Sequence, residues 1–131
     1  MAVVDASVWI AWFKKSDAFR EQAKHIIQSL ISKQERIYIP AIALTEMAGA
    51  IKRTTKNNDE ARNAILCMKD LNPKIVVDFE ELEPIATRIA ITYGIKGADA
   101  YYLAVAETTR SKLYTFDKQQ QEAFDAISAT W

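Results

Sequence analysis

The sequence has few of the residues on which several classes of protein depend. Its one cysteine, Cys67, cannot form an internal disulfide, which favours a reducing, cytoplasmic setting. Its one histidine, His25, lies in a helical pattern without a second histidine, which disfavours acid–base catalysis by a histidine pair. Only three glycines and three prolines occur, with no repeat, low-complexity tract or linker. The 131 residues are therefore expected to form one domain, residues 1–131.

The sequence also lacks net charge and long apolar runs. It has 17 basic and 17 acidic residues, so strong non-specific binding to nucleic acid would need a local basic surface. The apolar N-terminus has no basic n-region and reaches Asp5 and Lys14 early, unlike a signal peptide or a membrane span. Half of the residues are hydrophobic, which is typical of a globular domain.

Short apolar runs alternate with helical patterns along the chain. The predicted strands are Ala2–Asp5, Arg36–Ile39, Ile75–Val77 and Leu113–Phe116, with a fifth near Ala126–Ser128. Seven helices are predicted. The first runs from Ser7 to about Lys14, the second starts at a cap at Ser16, and the third runs from Pro40 to about Lys56. The fourth starts at a cap at Asn58 or Asp59, the fifth runs from a cap at Asp78 to a stop at Gly94, the sixth runs from Ala98 to about Thr109, and a short seventh follows Asp117. Strands that are apolar throughout indicate a parallel sheet covered on both faces. The prediction is a three-layer α/β/α sandwich with a short, mostly parallel sheet of four to five strands.

Four acidic residues fall where strands end or helices begin. Asp5 closes the first strand and Asp117 follows the fourth, whereas Glu46 lies in the helix after the second strand. Asp99 opens a helix that must run antiparallel to the fourth strand, so all four acids are expected at the carboxyl edge of the sheet, where such sheets bind ligands. Crowded carboxylates repel one another unless cations neutralise them. Mg²⁺ or Mn²⁺, which prefer carboxylate and water oxygens, would suit this edge.

Each acid also has a simpler explanation when it is taken alone. Asp5 and Asp117 could cap the helices that follow them, and Asp99 lies in a first helical turn that favours negative charge. Glu46 is harder to explain in this way, because its neighbours on the helix, such as Ala43, are apolar or small.

The acids lie in segments that resemble, in order and spacing, those of the PIN-domain family, metal-dependent ribonucleases that include VapC-type toxins. These segments are Val3-Val4-Asp5-Ala6-Ser7, Leu44-Thr45-Glu46-Met47, Gly97-Ala98-Asp99-Ala100 and Tyr114-Thr115-Phe116-Asp117. The resemblance spans nearly the whole chain. It implies a PIN-like fold and a Mg²⁺- or Mn²⁺-dependent endoribonuclease that hydrolyses RNA phosphodiester bonds.

The resemblance also implies roles for individual residues. The residues that match the family's four acidic positions are Asp5, Glu46, Asp99 and Asp117, and those that match its small hydroxyl positions are Ser7 and Thr115. Of the acids, Asp5, Asp99 and Asp117 are expected to bind the metal ion, and Glu46 to hold a water of that ion or act as a general base. The hydroxyls would orient carboxylates or contact phosphate. Some members have a further acid just after the last aspartate, where this chain has Lys118 and three glutamines, so the number of ions is left open.

Substrate charge would have to be met by nearby basic residues. Arg53 lies seven residues after Glu46, on the same helix face and about 10 Å away. Lys96 and Lys118 flank Asp99 and Asp117, and all three basic residues could bind the phosphate backbone. Alternatively, the basic residues at the end of the Arg53 helix only complement the helix dipole.

The resemblance to VapC implies the toxin of a type II toxin–antitoxin pair, with an RNA substrate, a small antitoxin partner and a homodimer. The aromatic-rich segment Trp9–Phe13 could lie in the core, at an oligomer contact or in a groove for a partner helix. The alternatives are a catalytically silent PIN-fold module that binds RNA or protein, and an RNA-processing nuclease without an antitoxin. A receiver domain is disfavoured because it needs an acidic pair after the first strand. A haloacid-dehalogenase-type phosphatase is disfavoured because Ser7 replaces its second aspartate.

Overall fold

The core of the molecule is a four-stranded, entirely parallel sheet. The computed structural model describes all 131 residues, Met1–Trp131. The strands are β1 Ala2–Val4, β2 Ile37–Pro40, β3 Lys74–Val76 and β4 Lys112–Tyr114. Their order is β3-β2-β1-β4, and Val3 of β1 is in register with Tyr38 of β2 and Leu113 of β4. The predicted parallel sheet is confirmed, with four strands.

Seven helices cover the sheet. They are α1 Ala6–Phe13, α2 Arg20–Ser32, α3 Ile42–Thr55, α4 Asn58–Asp70, α5 Phe79–Tyr93, α6 Gly97–Thr109 and α7 Lys118–Ser128. Helices α1 to α4 pack on one another, as do α5 to α7, and α6 lies directly against β1, β2 and β4. This is the predicted three-layer α/β/α arrangement. None of the seven helices combines the length and the apolar character that crossing a membrane would require.

Helices cover both faces of the sheet, and its central strands β1 and β2 are mostly buried. All three residues of β1 are buried, which explains why the strand is apolar throughout rather than alternating. Trp9 of α1 is fully buried and donates from Nε1 to the main-chain oxygen of Val4 at 3.0 Å. Trp9 therefore belongs to the monomer core, a single cluster of 32 buried hydrophobic residues, whereas its neighbours Trp12 and Phe13 are only partly buried.

The fifth strand predicted near Ala126–Ser128 is wrong. Helix α7 runs through that segment to Ser128. Gln120, Ala123, Phe124 and Ile127 are buried at positions i, i+3, i+4 and i+7, the spacing of an amphipathic helix. This helical period extends over eight residues and is stronger evidence than the short segment Ala126–Ser128 that suggested a strand.

Some of the predicted helix starts also differ from the structure. Pro40 does not lie in the first turn of α3, because it is the last residue of β2 and α3 begins at Ile42. Ser16 does not cap α2, which begins at Arg20; instead, Oδ1 of Asp17 accepts a hydrogen bond from the main-chain nitrogen of Phe19 at 2.8 Å. Helix α4 is capped by Asn57, one residue before the predicted position. By contrast, α5 ends as predicted, because Gly94 adopts a left-handed φ of 65° at its C-cap.

The strand order fixes where a ligand could bind. From β1 the chain continues to β2 on one side of β1, whereas β4 lies on its other side. The carboxyl end of β1 is therefore a topological switch point, where outgoing connections diverge and leave a crevice. The residues that follow β1 and β4 both lie at this end of the sheet.

Candidate active site

Asp5 and Asp117 follow the two neighbouring strands at the switch point. Asp5 is buried and caps α1, where its Oδ2 accepts from the main-chain nitrogen of Ser7 at 3.0 Å. Asp117 is exposed and caps α7, where its Oδ1 accepts from the main-chain nitrogen of Gln120 at 2.8 Å. The capping explanation is thus correct for both residues. Each cap uses one carboxylate oxygen, so capping leaves the other oxygen of each residue for a second interaction.

Glu46 and Asp99 reach the same region from helices. Asp99 lies in the first turn of α6, and Glu46 lies in the second turn of α3; both are partly buried. The hydroxyl of Tyr102, a fully buried residue of α6, donates to Oε1 of Glu46 at 2.8 Å. This bond joins the two helices that carry the acids and fixes the direction of the Glu46 side chain.

The four carboxylates share one electrostatic environment. The pKa of Asp99 is raised to about 6, chiefly by burial and also by the charges of Asp5, Asp117 and Glu46, against the opposing effect of Lys96. Burial also raises the pKa of Glu46, with a smaller contribution from Asp5, although the hydrogen bond from Tyr102 opposes this rise. The other three acids therefore lie close enough to disfavour the ionisation of Asp99, and Asp5 lies close enough to disfavour that of Glu46.

Two hydroxyl groups connect the start of α1 to the end of β4. Oγ of Ser7 accepts from the main-chain nitrogen of Phe116 at 3.0 Å and lies 3.4 Å from Oγ1 of Thr115. The Thr115 hydroxyl has a single proton, which it donates to Oε1 of Gln120 at 2.7 Å, with Oδ2 of Asp5 as a longer alternative acceptor at 3.3 Å. The Thr115 hydroxyl thus contacts Asp5 and Gln120, and the Ser7 hydroxyl contacts Thr115.

Gln120 was missed in the sequence as a site residue. Its side chain is fully buried, and Nε2 donates to Oδ1 of Asp5 at 3.3 Å and to the main-chain oxygen of Asp99 at 3.2 Å. With the bond from Thr115, it links β1, β4, α6 and α7. The available signal was the spacing Asp117-x-x-Gln120, which resembles a helix-capping box. The run of three glutamines does not indicate which of them is buried.

The three predicted phosphate-binding residues are all exposed and lie on elements that carry the acids. Arg53 lies two turns after Glu46 on α3, Lys96 precedes α6, and Lys118 begins α7. The ion pairs of the structure are elsewhere, namely Met1–Glu35, Asp59–Arg62 and Arg88–Glu107. No basic side chain of the protein is therefore paired with any of the four acids.

The donor chemistry of this edge fits a hard divalent cation. Carboxylate oxygens are the preferred protein ligands of Mg²⁺ and Mn²⁺. No three acidic side chains are positioned to ligate one ion directly. Mg²⁺ usually takes only one or two carboxylates and keeps several waters, so direct and water-mediated contacts are compatible with this arrangement.

Two cavities of the molecule differ in their position relative to the four acids. One cavity, of about 440 Å³, lies between α1, α3 and α4 and includes none of the four acids. A smaller one, about 310 Å³, is lined by Ser7 and Asp117 together with an aromatic pair. The smaller cavity is therefore the one beside the carboxylates.

Comparison with known proteins identifies the family. The PIN domain family model matches residues 2–125. Ribonuclease VapC3 of Pyrobaculum aerophilum is 28% identical over 130 residues, which cover 95% of each chain. The structure of Mycobacterium tuberculosis VapC20, described as a sarcin–ricin loop cleaving toxin, matches with a TM-score of 0.79 at 20% identity, covering 94% of this chain and 95% of that one. A toxin–antitoxin complex from Klebsiella pneumoniae matches with a TM-score of 0.67 at 21% identity, covering 92% and 89%.

The two solved structures share the fold with this chain, and the family model covers almost its whole length. The resemblance seen in the sequence motifs is thereby confirmed. The chain belongs to the PIN-domain family.

Proposed function

We propose that residues 1–131 form one nuclease domain, a Mg²⁺- or Mn²⁺-dependent endoribonuclease that acts as the toxin of a type II toxin–antitoxin pair. The observation that carries the proposal is the gathering of four carboxylates at the switch point, none of them paired with a protein cation. The similarity to a protein named as a ribonuclease supports RNA as the substrate.

Three carboxylates would hold the metal ion. In this proposal Asp5, Asp99 and Asp117 bind it directly or through water. When bound, the ion would lower the pKa of an attacking water and offset charge on the phosphate oxygens. Gln120 would keep the Asp5 carboxylate in place, since its Nε2 donates to Oδ1 of Asp5 at 3.3 Å.

In this proposal Glu46 accepts a proton from the attacking water or holds a water of the metal ion. Tyr102 occupies its Oε1, which leaves Oε2 for a water molecule. Burial raises the pKa of the Tyr102 hydroxyl, so this group remains a donor at neutral pH. The raised pKa of Glu46 makes it a stronger base than an ordinary glutamate.

The RNA backbone would be bound by the exposed basic residues. Lys96 and Lys118 lie next to the helix starts that carry the acids, and Arg53 follows Glu46 on α3. Lys52 instead approaches the main-chain oxygen of Lys56 at 3.4 Å, as expected for a residue that complements the helix C-terminus. Ser7 and Thr115 would orient the carboxylates or contact the phosphate.

The proposed partners are a small antitoxin and a second copy of the chain. The similarity to a toxin that was solved in complex with its antitoxin supports the first. Two-fold pairing is the commonest assembly of soluble proteins and could join two acidic edges into one RNA groove. An antitoxin could inhibit by extending an arginine toward the carboxylates in place of the metal ion.

Incubation of the protein with RNA tests the proposed reaction. We expect cleavage with Mg²⁺ or Mn²⁺, no cleavage with EDTA, and products with 5′-phosphate and 3′-hydroxyl ends, because water is the nucleophile. Cyclic phosphate ends, or undiminished cleavage in EDTA, would contradict the mechanism. Binding of RNA without cleavage under any divalent ion would instead favour a non-catalytic module.

A further inference from the structure

A stacked pair of phenylalanines lies beside the acidic site. Phe19, just before α2, packs on Phe116, just after β4, with ring centroids 4.8 Å apart and planes inclined by 18°. Phe19 is 48% exposed although Phe116 covers one face of its ring. Nearly half of the surface of Phe19 is therefore still accessible to a ligand. Phe116 directly precedes Asp117, so the pair is joined to the site by one peptide bond.

The aromatic pair and the acidic site share one cavity. The cavity of about 310 Å³ is lined by Ser7, Ile10, Asp17, Phe19, Phe116 and Asp117. This volume lies at the lower end of the range for ligand pockets, about 300 to 1,000 Å³. A flat group bound against Phe19 would consequently lie beside the Asp117 carboxylate.

Hydrogen bonds hold the backbone of both phenylalanines. The main-chain nitrogen of Phe19 donates to Oδ1 of Asp17 at 2.8 Å, and that of Phe116 donates to Oγ of Ser7 at 3.0 Å. Ser7, which bonds to the main chain of Phe116, also donates from its own main-chain nitrogen to Asp5, so the Phe116 segment is tied to the site. A surface fixed in this way needs little ordering when a ligand binds.

We propose that Phe19 and Phe116 form a stacking subsite for an unpaired nucleobase of the RNA, adjacent to the phosphodiester that the carboxylates act on. This inference rests on the proposed ribonuclease function. Proteins that bind single strands combine basic grooves with aromatic side chains on which bases stack. Because this chain has no net positive charge, stacking would supply affinity that its overall charge does not.

The polar lining of the cavity favours a base over other occupants. Asp17 and Asp117 would repel a phosphate or an acidic peptide at this position. A nucleobase is uncharged, and its amino and imino groups donate hydrogen bonds that carboxylates accept. The phosphate of the same nucleotide would then lie toward Lys118 and the metal-binding edge.

Equilibrium binding of a short single-stranded RNA that carries 2-aminopurine tests the subsite. The measurement uses low salt and EDTA, in which hydrolysis is not expected. We expect Phe19→Ala to weaken binding by about 5- to 100-fold, the usual effect of removing one stacking aromatic, and to reduce the quenching of 2-aminopurine. Phe19→Tyr keeps the ring and should bind like the wild type.

Trp131→Ala is the matched control. Trp131 is also an exposed aromatic, 40% accessible, but it lies beside Arg110 at the opposite end of α6 from Asp99. We expect it to bind RNA as the wild type does. An RNA with an abasic position in place of 2-aminopurine should reduce the difference between Phe19→Ala and wild type to less than about twofold.

Three results would overturn the subsite. The first is equal RNA affinity of the wild type and Phe19→Ala, and the second is that Phe19→Ala loses as much affinity for the abasic RNA as for the 2-aminopurine RNA. The third is that Phe19→Ala converts a dimer to a monomer, as measured by light scattering. The last result would show that a second copy covers the pair. Failure of the proposed function is distinguishable from this. A wild-type protein that cleaves RNA while binding stays independent of Phe19 contradicts the subsite alone. A protein that never cleaves RNA but binds it through Phe19 contradicts the nuclease function alone.

Discussion

Replacing Gln120 by glutamate would test whether this residue supports the acidic edge, with almost no change in side-chain shape. The side chain is fully buried, and its Nε2 lies 3.3 Å from Oδ1 of Asp5 and 3.2 Å from the main-chain oxygen of Asp99. In Gln120→Glu, an oxygen would take the place of this donor. Two attractive contacts would thereby become repulsive ones.

The expected cost follows from charge and protonation. Two unit charges 3.3 Å apart at an effective dielectric constant of about 20 repel by about 5 kcal/mol. Protonating a glutamate with an ordinary pKa of about 4.3 costs about 4 kcal/mol at pH 7 and about 1 kcal/mol at pH 5. The folded chain should therefore bind the proton. Because the folded pKa lies above the unfolded value, stability is lost as pH rises above about 4.3.

Urea unfolding in metal-free buffer at pH 5 and pH 7 measures this effect. We expect Gln120→Glu to lose up to about 4 kcal/mol of unfolding free energy at pH 7 and about 1 kcal/mol at pH 5, relative to the wild type. Gln119→Glu is the control, since Gln119 is exposed in the first turn of the same helix, where negative charge is favourable. It should stay within about 0.5 kcal/mol of the wild type. A penalty that is equal at both pH values, or equal in both variants, would refute the reasoning.

Two further predictions concern the acids on the helices. Tyr102→Phe removes the hydroxyl bonded to Glu46 and should lower the rate of RNA cleavage by about 10- to 100-fold, because the carboxylate loses its fixed direction. Initial rates of cleavage test this, and an unchanged rate would argue against Glu46 as the base. Its unfolding free energy should fall by only about 1 to 2 kcal/mol. Asp99→Asn should stabilise the metal-free protein at pH 7 but not at pH 4. The pKa of Asp99 is raised from 3.8 to about 6 in the folded state, so the wild type loses stability as the pH rises from about 3.8 to about 6. That shift corresponds to about 3 kcal/mol, and solvent screening of a half-exposed group reduces the expected gain to about 1 kcal/mol, as thermal unfolding would show. No difference between the two pH values would contradict the mutual repulsion of the acids.

The sheet and most helices could be predicted because their signals are local. The runs Ala2–Val4 and Leu113–Tyr114 are apolar without alternation, which is typical of strands covered on both faces. Gly94 stops α5 by a conformation that glycine adopts without strain. Parallel strands in turn imply that Asp5 and Asp117 lie at one edge, and the structure places both at the carboxyl ends of adjacent strands.

The remaining features depend on contacts that no local pattern describes. Positions 119 to 121 are three consecutive glutamines. Only the orientation of α7 about its axis decides that the side chain of Gln120 is the one that lies in the core. The bond from Tyr102 to Glu46 joins residues 56 positions apart, so no local pattern could indicate the partner of this hydroxyl. Similarly, Asp17 rather than Ser16 bonds to the segment before α2, because the turn formed there decides which side chain reaches a free main-chain nitrogen.

The most direct test of the central claim is a calorimetric titration of Mn²⁺ into the metal-free wild type, Asp99→Asn and Glu122→Gln, a control that removes an exposed carboxylate of α7. We predict that the wild type and Glu122→Gln bind Mn²⁺ alike, that binding weakens below about pH 6, where Asp99 takes up a proton, and that Asp99→Asn loses most of the affinity. Equal Mn²⁺ affinity in the wild type and Asp99→Asn, with both folded, would contradict the claim that these carboxylates hold the metal ion.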